Sequence, residues 1–282
     1  MTQTMELDYA RRFGGLERLY GPDGLPRLRD GHVAVAGIGG VGSWCAEALA
    51  RSGIGALTLI DMDHVAESNI NRQAHALDST LGRAKVGAMA DRLRDINPAC
   101  RLTLVDDFVG PENIDVLLAG APTVMIDCTD QARAKIAMVL ACRKSAVPLV
   151  LCGGAGGKTD SLALRAGDLS LAVNDALLAK LRNTLRRLHG YPKASDKAGK
   201  PLKRVARMNV RALWFDQPAI LPGAWREARA GDTRRTDGEA VAQAPQGLSC
   251  AGYGSVVTVT AAMGMAAANQ ALHHVIYGAF PR

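Results

Sequence analysis

Short apolar segments alternate with longer amphipathic ones between residues 33 and 151, and this alternation limits the folds that the chain can adopt. The apolar segments, of three to five residues, occupy 33–36, 56–60, 102–105, 123–126 and 149–151. Helical patterns of ten or more residues lie between them at 41–52, 83–96 and 130–146. Continuous apolar strands separated by helices are typical of a parallel sheet buried on both faces. Because the crossovers are right-handed, the pattern predicts a doubly wound α/β fold up to about residue 153.

The pattern changes in the second half of the chain. We predict a helix at 175–188, a polar loop-like stretch after it, and an apolar helix at 256–277. Residues 213–247 match no pattern that we recognise. We therefore divide the chain into a sheet-forming part, 1–157, and a C-terminal α+β part, 158–282.

The net charge of +7 comes from the second half alone. The first 150 residues carry 16 Lys and Arg against 18 Asp and Glu, whereas the rest carries 18 against 9. Eleven of these basic residues lie between Lys180 and Arg211, with Asp196 as the only acid. The basic loop at 189–206 is therefore a candidate contact for a polyanion such as nucleic acid. A scattered, solvated basic surface is the alternative.

Six cysteines are present, and none of them forms a C-x-x-C pair. This spacing argues against a zinc ribbon or a thioredoxin-type site, so we expect no zinc. The first thirteen residues contain four charged side chains between Glu6 and Arg12 and lack the apolar core of a signal peptide. We expect reduced thiols in a cytoplasmic protein. The stretch 256–276 is interrupted by polar residues, so we predict no transmembrane segment, while peripheral membrane association stays open.

A glycine-rich run, Gly37-Ile38-Gly39-Gly40-Val41-Gly42, joins the first predicted strand to the first predicted helix. Glycines at such a junction allow a tight turn and a close approach of backbone N–H groups to phosphate at the helix N-terminus. Asp61 ends the second strand nineteen residues after Gly42, where a carboxylate can bind a ribose hydroxyl. These features alone predict an adenine nucleotide site, and an NAD-dependent oxidoreductase is their commonest interpretation.

Polar residues after the second and fourth strands favour phosphate chemistry instead. They are Asp63, Ser68, Asn69, Asn71, Arg72, Gln73, Lys85, Asp127 and Asp130. Arginine and lysine stabilise charge on a triphosphate, and an aspartate can hold Mg²⁺. Each residue alone has a structural explanation, such as a helix N-cap at Asp130. Together they predict nucleotidyl transfer from ATP, with Arg72, Lys85 and Asp130 as catalytic residues.

This set of motifs resembles the ubiquitin-activating type of ATP-binding fold in the ThiF/MoeB/HesA family, over about residues 8–157. The resemblance implies a Rossmann-like, mostly parallel sheet with ATP and Mg²⁺ as cofactors. It implies nucleotide contacts from Gly37, Gly39, Gly40, Gly42, Asp61, Asp63, Asn69, Asn71, Arg72 and Lys85. Asp130 would hold Mg²⁺. Members of the family are homodimers in which an N-terminal arginine reaches the partner's ATP site. Arg12 is the best candidate here, and the adjacent Arg11 is the alternative.

Four further segments are similar to the tRNA-modifying branch of this family; they are 12–21, 41–44, 153–157 and 168–169. This similarity implies ATP-dependent cyclisation of threonylcarbamoyladenosine next to the anticodon, through adenylation of its side-chain carboxylate. A nitrogen of the same side chain would then close the ring, a step that gains from high effective molarity. The candidate tRNA contacts are Arg186, Arg187, Lys203 and Arg204. The C-terminal part, 158–282, would bind the substrate and contribute to the dimer. A sulfur-relay partner and a monovalent cation near 153–157 stay open.

Three other functions compete with this interpretation. An enzyme that adenylates the C-terminus of a ubiquitin-like or sulfur-carrier protein would share the ATP site, but the missing C-x-x-C pairs and the basic stretch count against it. An oxidoreductase would be distinguished by its preference for NAD over ATP. A scaffold that binds ATP without turnover would not need intact Arg72, Lys85 and Asp130. We interpret Cys250 as structural more readily than as a nucleophile.

Overall fold

A computed structural model describes residues 8–196, 199–200, 202–203, 205–220 and 253–281. Its centre is a seven-stranded sheet in the order β3-β2-β1-β4-β5-β7-β6. The strands are β1 His32–Ala36, β2 Ala56–Ile60, β3 Arg101–Val105, β4 Val124–Asp127, β5 Leu149–Cys152, β6 Leu164–Asp168 and β7 Arg211–Phe215. All neighbours are parallel except β6 and β7, which are antiparallel. The predicted mostly parallel, doubly wound sheet is confirmed.

Helices cover both faces of this sheet. They are α1 Tyr9–Tyr20, α2 Gly24–Asp30, α3 Gly42–Arg51, α4 Lys85–Ile96, α5 Ile114–Leu118, α6 Ala132–Lys144, α7 Ala176–Leu188 and α8 Val257–Tyr277. Helices α2, α3, α4 and α8 share one apolar core with the sheet, and α5, α6 and α7 share the other. Successive strand residues alternate between the two cores: Val33 and Val35 face the first, and Ala34 and Ala36 face the second. Burial on both faces explains why these strands are continuously apolar.

The chain reverses direction across the sheet between β1 and β4. From β1 it proceeds outward through β2 to β3, and it then returns to the other side of β1 to form β4 and β5. In open α/β sheets, a crevice forms at the carboxyl ends of the strands where the order reverses. The topology therefore places a ligand site beyond Ala36 and Asp127.

The sheet continues beyond the predicted division at residue 157. Strand β7 pairs with β5, with Val150 opposite Arg211, and β6 forms the outer edge. The C-terminal part thus extends the same sheet, and its assignment to substrate binding and dimerisation stays a prediction.

Helix α8 lies against the start of α3. A Cβ at Gly264 would come within 2.4 Å of the Val41 carbonyl oxygen, so only glycine allows this approach. The two helices share the apolar core that also contains β4, β5 and β7. Within the described ranges, no helix is long and apolar enough to cross a membrane.

Candidate functional site

A cavity of about 380 Å³ lies at the carboxyl ends of the central strands, at the position given by the topology. We call it the glycine-loop cavity. The predicted site residues on its wall are Gly37, Gly39, Gly40, Asp61, Asp63, Asn69, Arg72, Lys85 and Asp130. Others on its wall are Gln73, Phe108, Cys128, Thr129, Leu177, Ser255, Thr260 and the segment 153–156. Nine of the predicted residues, which are separated by up to 93 positions in sequence, thus meet in one cavity.

The glycine loop requires glycine at two of its positions. Gly37 has φ +83°, and a Cβ there would lie 2.9 Å from the backbone of Cys128. At Gly42, the first residue of α3, a Cβ would lie 1.8 Å from the carbonyl oxygen of Gly37. This packing holds the loop against β4 and directs the N-terminus of α3 toward the cavity. Backbone N–H groups at a helix N-terminus attract phosphate.

Asp61 holds the start of the glycine loop in place. One carboxylate oxygen accepts the backbone N–H of Ile38 at 2.6 Å, and the other accepts that of Asp63 at 2.8 Å. Burial raises the pKa of Asp61, while the charge of Lys85 and these two hydrogen bonds oppose the shift. The carboxylate is therefore oriented before any ligand binds.

Lys85 is the first residue of α4, and its ammonium group forms an ion pair with Asp63 at 2.7 Å. The backbone N–H of Lys85 also donates to the carbonyl oxygen of Asp63 at 2.9 Å. The lysine side chain is 8% exposed and the aspartate side chain 54% exposed. These bonds hold a buried cation on the cavity wall beside a carboxylate that solvent can reach.

The turn that follows β2 positions Arg72. Its guanidinium donates to the carbonyl oxygen of Ser68 at 2.8 Å and to the side-chain oxygen of Asn71 at 2.9 Å. Asn71 does not line the cavity; its amide donates to the carbonyl oxygen of Ser255, just before α8. Asn69 closes the turn by accepting the N–H of Ala66 at 3.1 Å. Asn71 therefore supports the arginine and links the turn to the C-terminal part.

A buried ion pair joins the last residue of β4 to α6. The Lys135 ammonium is 3.1 Å from the Asp127 carboxylate, both side chains are fully buried, and the lysine also donates to the Cys152 carbonyl oxygen at 2.7 Å. Thr129 donates two hydrogen bonds to the same carboxylate oxygen of Asp127. Burial raises the pKa of Asp127, and the charge of Lys135 opposes this shift. Sequence patterns contain no sign of this pair, because lysine side chains on helices are ordinarily exposed.

Asp130 is an exposed carboxylate on the cavity wall. The described residues contain no group of three or more His, Cys, Asp or Glu side chains that could hold a metal ion. Mg²⁺ is commonly held by one or two carboxylates together with substrate phosphates. The accessible carboxylate of Asp130, on the same wall as the exposed Asp63 and Asp107, fits that mode of binding.

The other predicted residues that the structure describes do not line the cavity. Arg12 is exposed and donates to the carbonyl oxygen of Ile96, at the C-terminus of α4, at 2.7 Å. Arg186 is half-buried and donates to the carbonyl oxygen of Pro192 at 3.0 Å, whereas Arg187 and Lys203 are exposed. Arg204 and Cys250 lie outside the described residues.

Comparisons with known proteins agree with this geometry. Residues 9–278 match the ThiF family model. The chain is 41% identical over 270 residues to the tRNA threonylcarbamoyladenosine dehydratase of Escherichia coli, covering 94% of this chain and 93% of the relative. A crystal structure of the E. coli dehydratase in complex with ATP matches with a TM-score of 0.78 and 38% identity, covering 96% of each chain. The molybdopterin-synthase adenylyltransferase of Salmonella typhimurium is 36% identical over 128 residues, covering 45% of this chain and 51% of the relative.

Proposed function

We propose that this chain, which belongs to the ThiF family, is an ATP-dependent tRNA threonylcarbamoyladenosine dehydratase that converts the modified adenosine to its cyclic form. The observation that carries the proposal is the glycine-loop cavity, where Arg72, Lys85 and Asp130 face one space at the carboxyl edge of the sheet. The extent of similarity favours the tRNA substrate over a carrier protein. Similarity to the dehydratase covers 94% of the chain, and similarity to the adenylyltransferase covers 45%.

The reaction requires activation of a carboxylate. A carboxylate is a poor electrophile because an oxide or hydroxide would have to leave. Transfer of AMP from ATP to a carboxylate oxygen forms a mixed anhydride and releases pyrophosphate. A nitrogen of the same side chain then attacks the carbonyl carbon, loses its proton and expels AMP. Intramolecular attack benefits from an effective molarity on the order of 10⁵ M or more.

Different residues of the cavity would have different roles in this reaction. The glycine loop and the N-terminus of α3 would bind phosphate oxygens through backbone N–H groups. Asp61 would orient the nucleotide, while Arg72 and Lys85 would stabilise the negative charge that develops on the transferred phosphoryl group. Asp130 would hold Mg²⁺, which neutralises phosphate charge when bound. Each of these side chains except Asp130 is fixed by a hydrogen bond or an ion pair.

We also propose a cytoplasmic homodimer in which Arg12 reaches the partner's cavity. The exposed position of Arg12, beyond the cavity of its own chain, supports this arrangement. Five cysteines of the described residues are free thiols, in keeping with a reducing compartment. A monovalent cation near 153–157 and a sulfur-relay partner stay predictions.

Mass spectrometry of nucleosides tests the proposal. Purified protein is incubated with Mg²⁺, ATP and tRNA that carries threonylcarbamoyladenosine, and the tRNA is then digested. We expect the modified nucleoside to lose the mass of one water, together with release of AMP and pyrophosphate. The loss should be absent without ATP, with NAD in place of ATP, and with Arg72→Ala. An unchanged nucleoside, with pyrophosphate exchange that depends on a small carrier protein, would replace this proposal with the protein-activating one.

A further inference from the structure

A second, larger cavity of about 900 Å³ lies at the opposite edge of the sheet. Leu149 and Arg211, the first residues of β5 and β7, line it. The residues that follow the carboxyl end of β5, 153–156, line the glycine-loop cavity instead. Because β5 and β7 are parallel, the two cavities open at opposite edges of the sheet. We call the second one the arginine groove, after Arg143, Arg207 and Arg211.

Helices α6 and α7 connect the two cavities. Ala134 of α6 and Leu177 of α7 line the glycine-loop cavity. Arg143 of α6 and Tyr191, which follows α7, line the arginine groove. The helices pack against each other, and each has 13 residues. Ala134 and Arg143 are nine positions apart on α6, so at 1.5 Å per residue Arg143 lies about 14 Å along the helix from the wall of the glycine-loop cavity.

The arginine groove is positive because three arginines and only one acidic residue, Asp168, line it. Asp168 accepts backbone N–H groups of Ser170, Met208 and Val210 at 3.0, 2.9 and 3.3 Å. Arg211 donates to the side-chain oxygen of Gln270 and to the carbonyl oxygen of Pro281. The two remaining arginines are available to a ligand.

Arg143 and Arg207 are both exposed. The Arg143 guanidinium lies 5.0 Å from the centre of the Tyr191 ring, which holds it at the mouth of the groove. Lys180 and Arg187 on α7 are also exposed. Within the part of the chain that the structure describes, none of these four side chains forms an ion pair.

We propose that the arginine groove and the exposed face of α7 bind the phosphate backbone of the tRNA while its modified adenosine occupies the glycine-loop cavity. This inference rests on the proposed function. A single strand carries a phosphate about every 3.4 Å, so 14 Å corresponds to about four nucleotides. The groove therefore takes phosphates about four nucleotides from the reacting base, within the anticodon arm.

The chemistry of the groove matches phosphate better than bases. Tyr191 is 4% exposed and packs in the apolar core, and Arg143 lies over its ring, so the ring is not available for stacking by a base. Guanidinium groups form paired hydrogen bonds with phosphate oxygens. Contacts of this kind carry no sequence information, and they set the position of the RNA.

Charge reversal at single positions tests the groove. Arg143→Glu and Arg207→Glu are compared with Arg101→Glu. This control makes the same change of charge at an exposed position on β3, the outermost strand on the side of the sheet away from β6 and β7. Arg207 lies in a loop, so its variant keeps the test valid if Arg143→Glu is unstable. The dissociation constant for unmodified tRNA is measured between 50 and 200 mM salt, conditions under which phosphate contacts dominate the salt dependence.

We expect each groove variant to bind tRNA about 5- to 30-fold more weakly at low salt, with a salt slope smaller by about one, while Arg101→Glu changes neither. Wild-type tRNA affinity in both groove variants would overturn the proposal. The binding measurement does not depend on the reaction. If the groove variants bind tRNA more weakly but the wild-type protein removes no water in the presence of ATP, the groove is upheld and the proposed function is overturned. Failure of the wild-type protein to bind tRNA would overturn both.

Discussion

The two cavities hold their charged side chains in different ways. In the glycine-loop cavity, Asp61, Arg72 and Lys85 are each tied to backbone or to a neighbouring side chain by bonds of 2.6 to 2.9 Å. In the arginine groove, Arg143 and Arg207 are exposed and carry no ion pair among the described residues. A chemical step needs fixed geometry, whereas attraction of a polyanion tolerates movement. The carboxyl edge of the sheet, with the glycine-loop cavity, therefore holds its charged side chains in fixed positions, and we call it the rigid edge. The opposite edge, with the arginine groove, leaves Arg143 and Arg207 free to move, and we call it the adaptable edge.

Breaking the buried Asp127–Lys135 ion pair at the rigid edge should have the largest effect on stability. Lys135→Met leaves the Asp127 carboxylate buried without its cation, which typically costs 3–5 kcal/mol. We expect the melting temperature to fall by about 10 °C. Differential scanning calorimetry measures this shift. The double variant Lys135→Met/Asp127→Asn removes the unpaired charge and should recover at least half of the loss; failure to recover would mean that the charge is not the cause.

An exposed ion pair provides the matched control for this change. Lys144 and Asp115 are 3.4 Å apart, with side chains 75% and 66% exposed. Such pairs contribute little to stability. Lys144→Met should therefore leave the melting temperature within about 2 °C of the wild type.

Removing the cation on the wall of the glycine-loop cavity should affect the reaction and leave the affinity for tRNA unchanged. Lys85→Met deletes a group that faces the nucleotide phosphates in the proposed function, and loss of one such group commonly lowers the rate 10²- to 10³-fold. Single-turnover conversion of threonylcarbamoyladenosine measures the rate, and filter binding measures the tRNA affinity. A parallel loss of both quantities would contradict the separation between the two edges.

A buried histidine near Lys85 should make the rigid edge sensitive to acid. His75 is 1% exposed, and burial together with the charges of Lys85 and Arg92 lowers its pKa to about 4. Below pH 6.5 the unfolded chain takes up a proton that the folded chain does not, so stability falls as the pH drops from 6.5 toward 4. When the pH falls from 7 to 5, the unfolding free energy of the wild type should drop by about 2 kcal/mol more than that of His75→Phe. Urea titrations at both pH values provide the measurement, and equal losses would exclude His75 as the cause.

The smallest effect is expected on the adaptable edge. Arg187 is exposed at the C-terminus of α7, so Arg187→Ala should weaken tRNA binding by about two- to threefold and change the unfolding free energy by less than about 0.5 kcal/mol. Arg186→Ala provides the comparison, because Arg186 braces Pro192 and should lower stability as well. If Arg187→Ala destabilised the fold as much as Arg186→Ala, the exposed arginine would have a structural role.

The first five strands were predictable because each is continuously apolar. Their predicted and observed limits differ by one residue at most. Strand β6 was missed because it is a partly exposed edge strand that contains Gly167. Strand β7 begins with Arg211 at the end of a basic stretch, and its place depends on pairing with β5. Pairing of this kind is a tertiary effect that local patterns do not contain.

The site was predictable where motif residues follow strands whose carboxyl ends meet at one edge of the sheet. The glycine loop, Asp61 and Lys85 follow strands in the order that the motifs indicated, and they share one cavity. The Asp127–Lys135 pair was not predictable, because the burial of Lys135 depends on how α6 packs over β4 and β5. Arg186 and Arg187 are adjacent in sequence, yet only the helix orientation separates the half-buried side chain from the exposed one.

The close contact between α3 and α8 has a consequence for the order in which the protein becomes active. The first turn of α3 packs against Gly264, and Thr260 of α8 forms part of the cavity wall. A chain that is still being synthesised holds the complete glycine loop long before α8 leaves the ribosome. Until then the cavity lacks one of its walls, and the core beside α3 stays open. We therefore expect a chain that ends before α8 to bind ATP more weakly than one that contains it.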